Sequence, residues 1–202
     1  TGNFKFDNIP EMPPCVKEEL GLNGSDWVLL AASTHDGEEA MVADSFDLIH
    51  REDSRSRLII APRRVERIQE ISSLLESRGI RVIRWTEYSG RKKDPGSISP
   101  ARGEDPWSSN GHRSVLLIDT IGELDKISAA ADVVFVGGSL IPHGGQNPLE
   151  PAGLGKAVIF GPHMFNFEEP VAALIAEGGA AQREVQRAGG HGGGRGPAGR
   201  SP

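Results

Sequence analysis

Six short apolar runs, separated by stretches of helical spacing, restrict this chain to a narrow set of folds. The runs cover residues 27–32, 58–61, 81–84, 115–118, 133–136 and 157–160, and most are apolar throughout. A strand with water on one face alternates apolar and polar residues, whereas a strand covered on both faces does not. Between the runs, helical patterns fit residues 38–50, 65–78, 123–130, 149–153 and 167–177. In the second of these, Ile68, Ile71, Leu74 and Leu75 share one face. Strand and helix in alternation build βαβ units. The expected fold is therefore α/β, a Rossmann-like parallel sheet of about six strands with helices on both faces.

Open parallel sheets bind ligands beyond the carboxyl ends of their strands, and in this chain polar, small and basic residues gather there. Ser33-Thr34-His35-Asp36-Gly37-Glu38 follows the first strand, Pro62-Arg63-Arg64 the second and Asp119-Thr120-Ile121-Gly122-Glu123 the fourth. Gly161-Pro162-His163 follows the sixth. The fifth strand leads into the longest signal: Gly137-Gly138-Ser139, then Gly144-Gly145, then Asn147-Pro148-Leu149-Glu150. Backbone N–H groups exposed near a helix start attract anions, so the expected ligand carries phosphate. Asn147-Pro148-Leu149-Glu150 also reads as a capping box, with Asn147 as cap and Glu150 three residues on. Capping does not account for the glycines before it. Those glycines are read as allowing close approach of phosphate or sugar, and Asn147 and Glu150 as meeting a ligand's hydroxyls. Arg63, at a strand end, suits a phosphate through its planar fork of donors. Arg64 is read as a solvated charge, and the acids Glu38 and Glu39 as complements to a helix dipole.

Several classes of function are disfavoured. The six histidines are scattered, with no metal-ligand spacing and no fixed Ser-His-Asp arrangement. Net charge is −6 with a pI near 5.5, which argues against nucleic acid as a partner. The single Cys15 excludes a disulfide framework and suggests a reducing compartment. No apolar run reaches the ~20 residues that cross a bilayer, and no signal peptide is expected. The chain opens on Thr1, which suggests a piece of something longer. Residues 86–113 are rich in Gly, Pro and Ser and read as a loop insertion without apolar anchors. Residues 185–202 hold seven glycines, three arginines and no acid, and read as a disordered tail appended to a folded unit of residues 1–184.

Together these segments carry a resemblance. Thr1-Gly2-Asn3-Phe4-Lys5-Phe6-Asp7, Ala31-Ala32-Ser33-Thr34-His35-Asp36-Gly37-Glu38-Glu39, Pro62-Arg63, Gly122-Glu123-Leu124, the Gly144-to-Pro151 passage and Gly161-Pro162-His163-Met164-Phe165-Asn166-Phe167 occur in order. The chain resembles the C-terminal half of the Kdo (3-deoxy-D-manno-octulosonic acid) transferases of Gram-negative bacteria, from Thr1 to about Gln182. That resemblance implies the C-terminal half of an inverting GT-B glycosyltransferase that moves Kdo from CMP-Kdo to a lipid A precursor in lipopolysaccharide synthesis. No metal or other cofactor is implied. The parent enzyme would work at the cytoplasmic side of the inner membrane, with its general base and acceptor surface in an N-terminal domain. The residues implied in donor binding are Ser33, Pro62, Arg63, Gly122, Glu123, Leu124, Gly138, Ser139, Gly144, Gly145, Asn147, Pro148, Leu149 and Glu150. Here Arg64 stands where the family has histidine, and the family's tyrosine before Ala-Asp is replaced near Ser128. The resemblance stops after Gln182, as truncation or a frameshift would make it. Two other readings fit the same residues. One is a GT-B enzyme using a UDP-sugar; the other is a non-catalytic nucleotide-binding module or degenerate fragment.

Overall fold

The computed structural model describes residues 17–93, 107 and 113–183. Residues 1–7, Cys15, most of the 86–113 segment beyond Lys93 and the 185–202 tail lie outside the described residues. Seven strands form one sheet: β1 (Trp27–Thr34), β2 (Ser56–Pro62), β3 (Arg81–Arg84), β4 (Ser114–Leu117), β5 (Val133–Val136), β6 (Ala157–Phe160) and β7 (Ala180–Gln182). Their order is β3-β4-β2-β1-β5-β6-β7, and every pairing is parallel. The helices are α1 (Glu38–Glu52), α2 (Ile68–Ser77), α3 (Trp85–Lys93), α4 (Leu124–Ala130), α5 (Leu149–Gly153) and α6 (Glu168–Ala176).

The continuous apolar runs are explained by burial on both faces. Along β1, Val28, Leu30 and Ala32 join one cluster with Leu20, Ile127 and Trp107, while Leu29 and Ala31 join another with Phe46, Ile71 and Leu75. Alternate residues thus meet different helices, and each needs to be apolar. β1 lies centrally, between β2 and β5. From β1 the chain runs outward through β2 on one side, then crosses back to β5 on the other. The carboxyl ends of β1 and β5 therefore flank the point where strand order reverses, which is where open sheets form a ligand crevice.

The structure corrects the sequence reading at three places. A seventh strand exists; it is three residues long, follows Gly178-Gly179 and pairs Ala180 with Val158, too little apolar sequence to register as a strand. Residues 65–67 form a 3-10 turn, so α2 starts only at Ile68. The described residues of the 86–113 segment include apolar anchors, which the sequence reading did not expect. α3 enters it, with Trp85 and Tyr88 buried one turn apart, and Asp119 accepts the Thr86 N–H at 2.9 Å. Trp107 is buried too, donating from Nε1 to the Leu20 carbonyl at 2.8 Å and lying under the Arg57 guanidinium. No helix among the described residues is long and apolar enough to cross a membrane.

Candidate functional site

At the β1–β5 switch point lies a cavity of about 270 Å³. Ala32, from the carboxyl half of β1, and Val134 and Val136, from β5, line it. Around it stand Ser33 from the end of β1, Arg63 from the end of β2, Leu124, Asp125 and Ser128 from α4, and Gln146, Asn147 and Glu150 from the turn into α5. Residues from five chain segments thus converge on one crevice.

Local backbone geometry sets each group. β1 bulges between Ala32 and Thr34, and Ser33 there has φ 54°, the only non-glycine with positive φ among the described residues. A bulge of this kind re-aims a side chain at a strand's end. The Arg63 N–H donates to the Thr34 carbonyl at 2.9 Å, tying the end of β2 to that of β1. The Arg63 side chain is exposed and has no carboxylate or hydrogen-bond partner among the described residues. Asn147 Oδ1 accepts the Leu149 N–H at 3.0 Å, and its Nδ2 donates to Glu150 Oε1 at 3.0 Å. The polar pair read from the sequence is formed, but the capping box is not: Pro148 is the N-cap of α5, and Asn147 accepts from Leu149 two residues on instead of from Glu150. α5 has five residues, too few for a strong dipole.

The glycine-rich loop differs from its sequence reading. Gly138 and Ser139 do not offer free amides. Glu38, fully buried at the start of α1, accepts the N–H of Gly138 at 2.6 Å, and those of Ser139 and Leu140 at 3.0 Å each. The Ser139 hydroxyl is also buried; it donates to the Val136 carbonyl and accepts the Gly161 N–H at 2.9 Å. The Gly145 N–H donates to the Gly138 carbonyl at 2.8 Å. Gly144 and Gly145 are packing glycines: a Cβ would come 2.2 Å from Asn166 Nδ2 at the first and 2.3 Å from Met164 Sδ at the second. The loop is an anion nest, as its composition suggested, but the anion it holds belongs to the chain itself. Of the remaining candidates, Pro62 ends β2, Gly122 turns the chain with φ 91°, Glu123 caps α4, and Pro148 and Leu149 open α5. None of these five lines the cavity.

Sequence reasoning missed Asp125, Ser128, Gln146, Pro151 and Leu154 on the wall. It also missed the weight carried by Glu38 and Glu39. Glu39 is fully buried, accepts from the Thr34 hydroxyl at 2.9 Å and pairs with Arg67 at 2.8 Å. The repeated acids directly after Asp36-Gly37 were the available signal, because a helix dipole alone is satisfied by exposed acids.

Beside the cavity, the rings of His35 and His143 pack at a tilt of 37° with centroids 3.9 Å apart. Gln146 Nε2, which can only donate, lies 3.1 Å from His35 Nε2, so the neutral ring carries its proton on Nδ1. Burial, followed by the His143 ring and the cations Arg63 and Arg64, lowers the His35 pKa, against an opposing pull from Glu38. The folded state therefore binds the His35 proton less readily than the unfolded chain, so the unfolded state holds more protons in this window. Stability from neutral His35 is present above its ordinary pKa of about 6.5 and is lost as pH falls through the lowered value. Urea unfolding from pH 7 to 5 is expected to show wild type losing more stability than His35→Gln. Parallel pH profiles would contradict this assignment. Among the described residues, no group of three or more His, Cys, Asp or Glu is placed to hold a metal.

The chain is 36% identical to the 3-deoxy-D-manno-octulosonic acid transferase of Bordetella pertussis, over 89% of this chain and 39% of that protein. It is 33% identical to the same-named protein of Haemophilus influenzae, over 87% of this chain and 38% of that one. In fold it matches the C-terminal CMP-Kdo binding domain of WaaA from Acinetobacter baumannii, with a TM-score of 0.67 and 27% identity, covering 85% of this chain and 82% of that one. This chain is a homologue of the Kdo transferases. Its Rossmann-like fold is that of their C-terminal domain, and it spans under two fifths of the length of these two curated relatives. No family model matches the chain.

Proposed function

We propose that this chain is the donor-binding half of a Kdo transferase and holds CMP-Kdo at the β1–β5 crevice. The observation that carries the reading is the convergence of unpartnered Arg63 with Asn147 and Glu150 on one cavity, in a fold shared with a CMP-Kdo binding domain. Arg63 takes the phosphate through bidentate, charge-assisted hydrogen bonds. Glu150 accepts from ribose hydroxyls, held in place by Asn147. As the bond from the sugar's anomeric carbon to phosphate oxygen breaks, negative charge grows on CMP. Arg63 stabilises that charge more in the transition state than in the ground state.

The rest of the reaction belongs to the part of the relatives that this chain does not span. There an acceptor hydroxyl of the lipid A precursor loses its proton to a general base, and the parent enzyme meets the inner membrane. The folded unit is taken as residues 1–184, with 86–113 as a loop insertion and 185–202 as a tail. By itself the chain transfers no sugar; Kdo transfer to lipid A precursor by the purified chain would refute that.

Calorimetric titration tests the donor reading. CMP should bind saturably and more tightly than UMP. Arg63→Ala removes a hydrogen-bonded charge partner, commonly about 1.5–3 kcal/mol, so CMP affinity should fall roughly ten- to hundredfold. Preference for UDP-sugars would favour a different GT-B donor. A folded chain that binds no nucleotide would leave only common ancestry.

A further inference from the structure

Glu38 is heavily hydrogen-bonded near the crevice, yet it does not line it. It is fully buried, and its carboxylate accepts four backbone N–H groups. Oε1 takes those of Ser139 and Leu140; Oε2 takes those of Gly138 and, at 2.9 Å, His35. The donors come from two strand-end turns about a hundred residues apart, after β1 and after β5. A buried carboxylate is tolerated only where such donors replace its lost water. The turn after β1 starts at His35, two residues beyond Ser33 on the cavity wall. The loop after β5 folds back on the gripped residues: the Gln146 N–H donates to the Gly137 carbonyl at 3.1 Å, and the Gly145 N–H to that of Gly138. Gln146 and Asn147 are therefore placed by a loop whose root Glu38 clamps.

We propose that Glu38 is a positioning residue of the donor pocket. Its carboxylate fills the anion nest that the donor's phosphate would otherwise enter, leaving the phosphate to Arg63, and locks the turns that present Ser33, Gln146 and Asn147. The proposal rests on the donor-binding reading above. It differs from simple space-filling in one respect: charge matters more than shape. Glutamine matches the shape of glutamate but turns an amide N–H₂ towards backbone donors. Aspartate keeps the charge on a stem one methylene shorter.

The test uses the full chain labelled with ¹⁵N and ¹³C. Couplings across the hydrogen bonds, from the amide nitrogens of Gly138, Ser139 and Leu140 to the Glu38 carboxyl carbon, should be present and should survive saturation with CMP. Their loss on CMP addition would mean that phosphate displaces Glu38, and would overturn the proposal; this holds even if the Glu38 variants fail to fold. Glu38→Gln should weaken CMP binding at least tenfold with the sheet resonances retained, and Glu38→Asp should recover part of that loss. A folded Glu38→Gln that binds like wild type, or that binds better than Glu38→Asp, would also overturn it. If wild type ignores CMP, the donor reading fails separately. The clamp is then judged by the Gln146 and Asn147 amide resonances, which Glu38→Gln should move and which an unclamped loop would leave in place.

Discussion

Arg67→Ala should be among the most destabilising single changes in this fold, costing about 3–5 kcal/mol, because it leaves a buried carboxylate without its cation. Arg67 closes the 3-10 turn before α2 and is 17% exposed. Nη1 meets Glu39 Oε1 at 2.8 Å, and Nη2 meets Glu70 at 2.7 Å and Asp36 at 3.2 Å. The three contacts are not equal. Asp36 and Glu70 are exposed, and exposed pairs contribute about 0–1 kcal/mol. Glu39 has no exposed surface, so only its loss of charge balance is costly. Burial disfavours the Arg67 charge, but its hydrogen bonds to Glu70 and Glu39 outweigh it and raise the pKa. Glu70, in turn, is lowered by its bond to Arg67. Urea unfolding of Arg67→Ala, Glu70→Ala and the double variant Arg67→Ala/Glu39→Gln separates the terms. Glu70→Ala should stay within about 1 kcal/mol of wild type, and the double variant should recover part of the loss. If Arg67→Ala and Glu70→Ala cost the same, the buried pair is not what matters.

That pair shows where sequence reasoning stops. The strands were legible because burial on both faces leaves a continuous apolar run, and Val133 to Val136 or Leu58 to Ala61 has no other economical explanation. Asn147 and Glu150 were legible because their relation is local: one turn, three residues, a hydrogen bond within it. Glu38 and Glu39 were not, because their distant partners, Gly138 and Arg67, lie 100 and 28 positions away, and a sequence counts donors without pairing them with acceptors. The same limit explains the glycine-rich loop. Its composition does specify an anion nest, but which anion enters is a tertiary fact. α3 and Trp107 were hidden differently, as sparse aromatic anchors inside a polar, Gly- and Pro-rich stretch.

The crevice depends as much on missing atoms as on those present, and Gly137→Ala should show it. Gly137 directly follows β5, and its N–H donates to the Ala32 carbonyl at 2.8 Å. A Cβ there would lie 2.2 Å from the Ser33 carbonyl oxygen and 2.7 Å from the Thr34 Cα. Both are backbone atoms, so no rotamer change relieves the clash. Relief requires β1 and β5 to part at the cavity lining, where Ala32 and Val136 meet. Overpacking of side chains costs about 1–3 kcal/mol, and a backbone clash belongs at or above the upper end. Gly122→Ala is the control: its φ is 91°, but no atom lies within 4 Å of the added Cβ, so it carries only the left-handed strain of about 1–2 kcal/mol. Thermal and urea unfolding should therefore rank Gly137→Ala below Gly122→Ala by more than a kcal/mol. Any folded Gly137→Ala should also bind CMP more weakly, since Ser33 sits on the displaced bulge. Equal stability of the two variants would mean that β1 and β5 yield easily at their carboxyl ends, and that their share of the crevice lining is not the rigid part of the site.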